Sequence, residues 1–191
     1  MIDGPHLQES ELIEVVMKLV YVHDFAHRTI PKYIDEHCET NMKFTTAQNI
    51  KFAGQAVRHG CRVKYKDYIV MNARYVALVP IGRSLSTVVH EIAHLSVGVE
   101  HLHDEKFIDE YKRIASIEGV NFGGVKADLN LNSDLKKLFR YCRPINRFGD
   151  VDCSCIKRVG YVESETYQKF DNLAKAAVDI FSKIRTNGDY E

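Results

Sequence analysis

The sequence predicts a single α+β domain in which one central helix packs on a short antiparallel sheet and additional helices flank both. Three observations support this prediction. Apolar residues recur at helical spacing near both ends of the chain, β-branched and aromatic residues cluster at 63–79, and a patterned helix follows that cluster. With 191 residues, 45% of them hydrophobic, the chain can bury one good core. We expect one domain over 1–191, in which the catalytic core covers about 60–118 and helical flanks cover 8–60 and 132–187.

The first flank is predicted to consist of helices alone. An apolar stripe marks an amphipathic helix from Ser10 to about Arg28, and Pro31 opens a short helical turn after it. Another helix is expected to begin at Thr45 or at the threonine after it, and to end at Gly60.

The segment after Gly60 changes to the pattern of β-strands. We expect two or three antiparallel strands that end at Pro80, built from these β-branched, aromatic and aliphatic residues: Val63, Tyr65, Tyr68, Ile69, Val70, Tyr75, Val76, Leu78 and Val79. A strand close to the following helix would offer unpaired backbone groups to an extended peptide. Equally, these strands could form only a wall of the core.

The central helix is predicted to follow Gly82 directly. It carries an apolar stripe at helical spacing, formed by Leu85, Val88, Val89 and Ile92. Ser84 or Ser86 is the expected N-cap. Gly98 is the expected end, because glycine takes left-handed conformations that other residues avoid.

The rest of the chain is predicted to be mainly helical. A clear amphipathic helix covers 104–118 and ends at Gly119, and a short helix is expected around 135–141. Residues 143–162 read as irregular or β structure, and a final packing helix covers 164 to about 185.

The central helix contains the motif H-E-x-x-H at residues 90–94. The spacing puts His90 and His94 on one face of the helix, one turn apart, where two imidazoles can hold one metal ion. Glu91 projects beside the pair, where a carboxylate can take a proton from water without being a ligand. The motif therefore indicates hydrolytic metal chemistry.

A second histidine pair has the same spacing but a different context. His23 and His27 lie on the first helix, and Asp24 follows His23 where Glu91 follows His90. We predict a structural role for His23 and His27.

A third ligand is expected from a later segment, because a tetrahedral ion cannot take three ligands from one face of a straight helix. Gly98 lets the chain turn back soon after His94. We favour His103, because Phe107 and Tyr111 follow it at four-residue intervals and would anchor the next helix behind the site. The alternatives are His101, Asp104, Glu105, Asp109 and Glu110.

Residues 88–94, a short loop containing glycine, and then His103 to Phe107 and Tyr111 together resemble the SprT-like and minimal zincin metallopeptidases. Those proteins carry H-E-x-x-H, a short loop, and H-G-x-x-F followed by an aromatic residue. The resemblance covers roughly residues 60–115 and implies a small zincin-like α+β fold with bound Zn²⁺. Asp104 departs from the family's usual glycine. The zinc ribbon of many SprT-like proteins is also missing, so proteolysis linked to DNA is not implied.

Composition limits the partners. Lys plus Arg and Asp plus Glu number 26 each, so only the local basic segment 136–158 suggests nucleic acid, and a solvated face explains it better. No apolar run reaches the length of a membrane span, and the start of the chain lacks the pattern of a secretory signal. We expect a cytoplasmic protein that acts on a peptide or protein.

The five cysteines are expected to be reduced thiols, since their number is odd and they lack C-x-x-C spacing. Cys142, Cys153 and Cys155 lie close in sequence and could form a second metal site with another ligand.

The sequence therefore predicts a zinc-dependent metallopeptidase or related amide hydrolase, with His90, His94 and His103 as ligands and Glu91 as general base. The alternative is a zincin-fold binding or regulatory protein whose metal site is structural or vestigial. A fourth protein ligand would favour that alternative, because a closed site leaves no place for water.

Overall fold

The structure, a computed structural model, describes residues 8–34, 40–46, 53–58, 67–122 and 165–188. Within these residues the chain forms five helices and three strands, which confirms the α+β class. Their bounds in chain order are α1 Glu9–Tyr33, β1 Asn41–Thr45, β2 Gly54–Val57, β3 Tyr68–Asn72, α2 Ala73–Leu78, α3 Ile81–Val97, α4 Glu105–Ile117 and α5 Glu165–Gly188.

The sheet is mixed, so the prediction of an antiparallel sheet is wrong in part. Its strand order is β1-β3-β2, with β1 parallel and β2 antiparallel to β3. The central strand β3 is buried along most of its length, as expected for a strand with a neighbour on each side. Strand β2 lies at an edge, and the central helix α3 packs against both β2 and β3.

Two or three strands are predicted at 63–79, but the described residues of this segment form one strand, β3, followed by a helix. After β3 the chain turns into the short helix α2, because the Asn72 side chain accepts a hydrogen bond from the backbone N–H of Arg74 at 3.0 Å. This local cap satisfies a free N–H of the first helical turn and outweighs the β preference of Tyr75 and Val76. Positions 63 and 65 lie outside the described residues.

The prediction that residues 8–60 are helical throughout is also wrong. Strand β1 includes Thr45, and β2 occupies Gly54–Val57, where a helix was expected. Pairing of both strands with β3 decides this outcome, since tertiary contacts override weak helical periodicity in short segments. The part of the expected helix at 47–52 lies outside the described residues.

Helix α1 is one continuous helix rather than a helix followed by a separate turn. Pro31 lies in its last turn, two residues before the end at Tyr33. At that position a proline removes only one hydrogen bond, so the helix can continue through it. Lys32 and Tyr33 then donate hydrogen bonds to the carboxylate of Glu118, which joins the end of α1 to the end of α4.

Helix α5 packs against α1 and α2. Its bounds confirm the predicted final helix. Its buried face includes Leu173, Ala174, Ala177 and Phe181, whereas Ile184 is 49% exposed and lies off that face. The buried guanidinium of Arg74 donates to the Asp171 carboxylate at 2.6 Å, which fixes α2 to α5. Breaking a buried ion pair of this kind costs about 3–5 kcal/mol.

Several predictions fall outside the described residues. They concern the short helix at 135–141, the segment 143–162, the basic surface at 136–158, and the three cysteines Cys142, Cys153 and Cys155. Within the part of the chain that the structure describes, no helix is both long and apolar enough to cross a bilayer.

Candidate metal centre

Helix α3 carries His90 and His94 and is buried on nearly all sides. It begins at Ile81 with Pro80 as its N-cap, so neither predicted serine cap is correct. Ser84 and Ser86 are instead buried inside the helix. A proline is compatible with this start, because the backbone N–H that proline lacks is not needed at the beginning of a helix.

Gly98 ends α3 as predicted. Its φ is +105°, a conformation that residues with a side chain rarely adopt, and its N–H donates to the carbonyl of His94 at 3.0 Å. The chain then reverses and reaches His103 within five residues of Gly98. This reversal places the third histidine beside the first two.

The imidazoles of His90, His94 and His103 converge on one point. The Nε2 atom of His90 lies 3.1 Å from that of His94 and 3.2 Å from that of His103. Bonds of 2.0–2.1 Å to a tetrahedral zinc ion would set ligand nitrogens about 3.3 Å apart. The three side chains can therefore hold a metal ion. Among the described residues, they are the one group of at least three potential metal ligands whose ligand atoms lie close together.

Burial decreases across the three histidines. His90 is buried, His94 is half-buried and His103 is exposed. The centre is thus closed by protein on the side of His90 and reachable from solvent on the side of His103. A site that binds a reactant needs one accessible side of this kind.

Phe107 forms the wall behind the centre. Its ring stacks on His94 with centroids 4.1 Å apart, and its edge meets His90 at 4.8 Å and His103 at 5.0 Å. Phe107 is fully buried, so it limits the rotation of all three imidazoles. The predicted anchoring role of this aromatic residue is confirmed.

Tyr111 joins α4 to α3 one turn further along. Its hydroxyl lies 2.5 Å from Ser86 Oγ, and its ring meets the edge of His90 at 5.3 Å. Both hydroxyls are buried. Buried hydroxyls need such partners, so this contact fixes the position of α4 relative to the ligand helix.

Asp104 caps α4 at the position where the SprT-like pattern has glycine. Its carboxylate accepts the N–H of Phe107 at 3.0 Å and lies 2.6 Å from His101 Nδ1. The hydrogen bond with His101, then that with Phe107, holds the pKa of Asp104 below its usual range. Its φ of −74° needs no glycine, so the turn at His103 forms with aspartate in place.

The alternative third ligands lie outside the group of three histidines. His101 contacts Asp104 through Nδ1 and Lys106 through Nε2. Glu110 accepts hydrogen bonds from Ser96 at 2.7 Å and from Arg113. The Arg113 contact, with help from Ser96, lowers the pKa of Glu110. The remaining candidates, Glu105 and Asp109, are exposed on α4.

Glu91 lies between α3 and the edge strand β2. Its Oε2 atom accepts a hydrogen bond of 2.7 Å from the backbone N–H of Ala56, and the residue is 6% exposed. No signal in the sequence indicates this contact, because the pattern around Ala56 predicts a helix. An extended segment could have been suspected only from Gly54, which is unfavourable within a helix.

The second histidine pair forms a different structure. The rings of His23 and His27 lie 4.1 Å apart, and His23 meets the ring of Phe181 at 5.1 Å. Burial lowers the pKa of His23 to about 4, with smaller contributions from His27 and Arg185. Within the described residues this pair is not part of any group of three potential ligands.

Comparisons with protein-family models, with curated proteins and with solved structures gave no match.

Proposed function

We propose that this protein is a zinc-dependent metallopeptidase or a related amide hydrolase with a zincin-like fold, similar to the SprT-like group. One observation carries the proposal: three imidazole nitrogens converge, and the residue after the first of these histidines in the sequence is a buried glutamate that is not one of the three. Three histidine ligands are a common set for catalytic zinc, and they leave one coordination position open. Imidazole ligands at tetrahedral spacing also suit zinc well.

In this proposal His90, His94 and His103 hold the ion through their Nε2 atoms. When bound, zinc supplies Lewis-acid chemistry, which acidifies water and polarises a carbonyl group. Glu91 takes a proton from the attacking water and gives it to the leaving amine. The side chain of Glu91 is suited to this role because it is adjacent to the ligands in sequence and fixed by the N–H of Ala56.

The edge strand β2 supports the proposed substrate class. In an antiparallel pair, alternate residues direct both backbone groups toward the partner strand. The N–H of Ala56 points to Glu91 rather than to β3, so the outer edge of β2 passes beside the catalytic carboxylate. An extended peptide added to this edge would lie across the centre, which favours a peptide or protein substrate.

The test is the substitution Glu91→Gln, which keeps the shape of the side chain and removes its basicity. We expect the variant to bind one zinc ion, measured by metal analysis of the purified protein, and to lose at least about 100-fold of the hydrolysis rate on a library of fluorogenic peptides. Full activity in a zinc-loaded Glu91→Gln variant would contradict the assignment of the base. Absence of zinc from the active wild-type protein would contradict the proposal as a whole.

A further inference from the structure

At Gly54, strand β2 approaches helix α3 more closely than a residue with a side chain would allow. A Cβ atom on Gly54 would lie 2.8 Å from Thr87 Cγ2, 3.0 Å from Met71 Sδ and 3.1 Å from Glu91 Cγ. Distances below about 3 Å do not occur between real Cβ atoms and their neighbours. Gly54 is therefore a condition for the short separation of β2 and α3.

Thr87 cannot rotate out of the way without losing contacts. Its Oγ1 donates to the carbonyl of Arg83 at 3.1 Å and lies 3.3 Å from the hydroxyl of Tyr75. In helices, threonine side chains are also restricted at χ1. A side chain at Gly54 would therefore displace Thr87, Met71 and Glu91, or move β2 itself.

The close approach brings the N–H of Ala56 within reach of Glu91. Ala56 faces Ile69 of β3, and its N–H donates to Glu91 Oε2 at 2.7 Å instead of to β3. Gln55 and Val57 consequently direct their N–H groups to β3. The backbone N–H of Ala56 thus lies on the outer edge of the sheet, where it donates to the carboxylate of Glu91 on α3.

We propose that Gly54 and the backbone N–H of Ala56 are a positioning device for the general base, resting on the function proposed above. The N–H of Ala56 fixes Oε2 of Glu91. Because the carboxylate is rigid, this contact also restricts the position of Oε1. Gly54 makes the device possible, because only a residue without a side chain allows β2 to come near enough. The edge strand therefore has a second role besides offering an edge for an extended peptide.

Gly54→Ala is the first test, with Gly82→Ala as the matched control. Gly82 lies in the first turn of α3, and an added Cβ there meets nothing within 4 Å. We expect Gly54→Ala to lower kcat by about 10–100-fold, because small misplacements of catalytic groups have effects of this size. Zinc affinity remains unchanged, KM changes by a much smaller factor than kcat, and Gly82→Ala behaves like wild type. An unchanged kcat in folded Gly54→Ala would overturn the proposal.

Amide hydrogen exchange is the second test and needs neither activity nor the Gly54 variant. We expect the amide of Ala56 to exchange at least about tenfold faster in Glu91→Ala than in wild type, since a bond to a charged acceptor is removed. The amides of Gln55 and Val57, which face β3, keep their rates. Equal rates for Ala56 in both proteins would overturn the proposal. Because this readout requires no catalysis, it tests the contact between Ala56 and Glu91 separately from the peptidase function that Glu91→Gln tests.

Discussion

His90 and His94 on α3 have the same spacing as His23 and His27 on α1, yet the two pairs form different structures. On α3 the ring nitrogens of the pair converge, 3.1 Å apart, with those of His103. On α1 the two rings lie against each other, and Phe181 of α5 contacts one of them. A four-residue histidine spacing therefore creates only the possibility of a metal site.

The surroundings account for the difference. After α3 the chain reverses at Gly98 and brings a third imidazole, whereas α1 continues past His27 to Tyr33. On the α1 side, the cationic side chain of Arg185 pairs with Asp24 and adds to the lowering of the His23 pKa. A nearby cation disfavours a second positive charge, so this environment suits a neutral, packed histidine.

Removal of His103 is expected to have the largest effect on metal binding. His103→Ala leaves two ligands, and we expect zinc affinity to fall by more than about 100-fold, since changes outside the ligand shell already cost 10–100-fold. Titration against a chromophoric chelator measures this affinity. His101→Ala is the matched control, because His101 lies outside the group of three histidines, and its zinc affinity is expected to equal that of wild type. A loss in His101→Ala similar to that in His103→Ala would show that the assigned third ligand is wrong.

Removal of the aromatic wall is expected to have an intermediate effect. Phe107→Ala should lower the free energy of unfolding by about 3–5 kcal/mol and weaken zinc binding by about tenfold, because the imidazoles regain rotational freedom. Ile114→Ala is the matched control on the same helix, equally buried but about 10 Å further along the axis. It should lose about 2–5 kcal/mol of stability without a change in zinc affinity. Equal loss of zinc affinity in both variants would mean that Phe107 acts only through global stability.

The His23 pair should affect stability with pH and leave metal binding unchanged. The pKa of His23 is about 4 in the folded protein and about 6.5 when unfolded, so only the unfolded state binds the proton between these values. Stability from this group is therefore complete above about pH 6.5 and falls as the pH drops toward 4. At pH 5 the loss relative to neutral pH is about 2 kcal/mol.

Urea denaturation at pH 7.5 and pH 5 measures this loss in wild type and in His23→Gln. Both proteins are kept in a chelator, so that protonation of the metal ligands contributes equally to the two. The wild type should lose about 2 kcal/mol more than the variant on going to pH 5. An identical loss in the two proteins would show that His23 does not titrate as proposed.

Local signals in the sequence predicted much of the metal centre. The H-E-x-x-H spacing, the helix end at Gly98 and the aromatic residue four positions after His103 each depend on a few neighbouring residues, and the structure brings all of them together. The cap formed by Asp104 could also have been predicted, because aspartate before a helix commonly accepts an N–H of the first turn.

The edge strand could not be predicted for a physical reason. Strand β2 has four residues, one of them glycine, and its conformation depends on pairing with β3 and contact with α3 rather than on its own preferences. The hydrogen bond between Ala56 and Glu91 joins residues 35 positions apart. Interactions across such separations leave no periodic pattern in one sequence.

X-ray absorption spectroscopy at the zinc edge tests the central claim most directly. For the zinc-loaded wild type we expect three imidazole nitrogens and one further light atom at about 2.0–2.1 Å, with no sulfur. Four imidazoles would close the site and support the binding or regulatory alternative. A sulfur ligand at about 2.3 Å would place zinc on cysteine and contradict the assignment of His90, His94 and His103 as the metal centre.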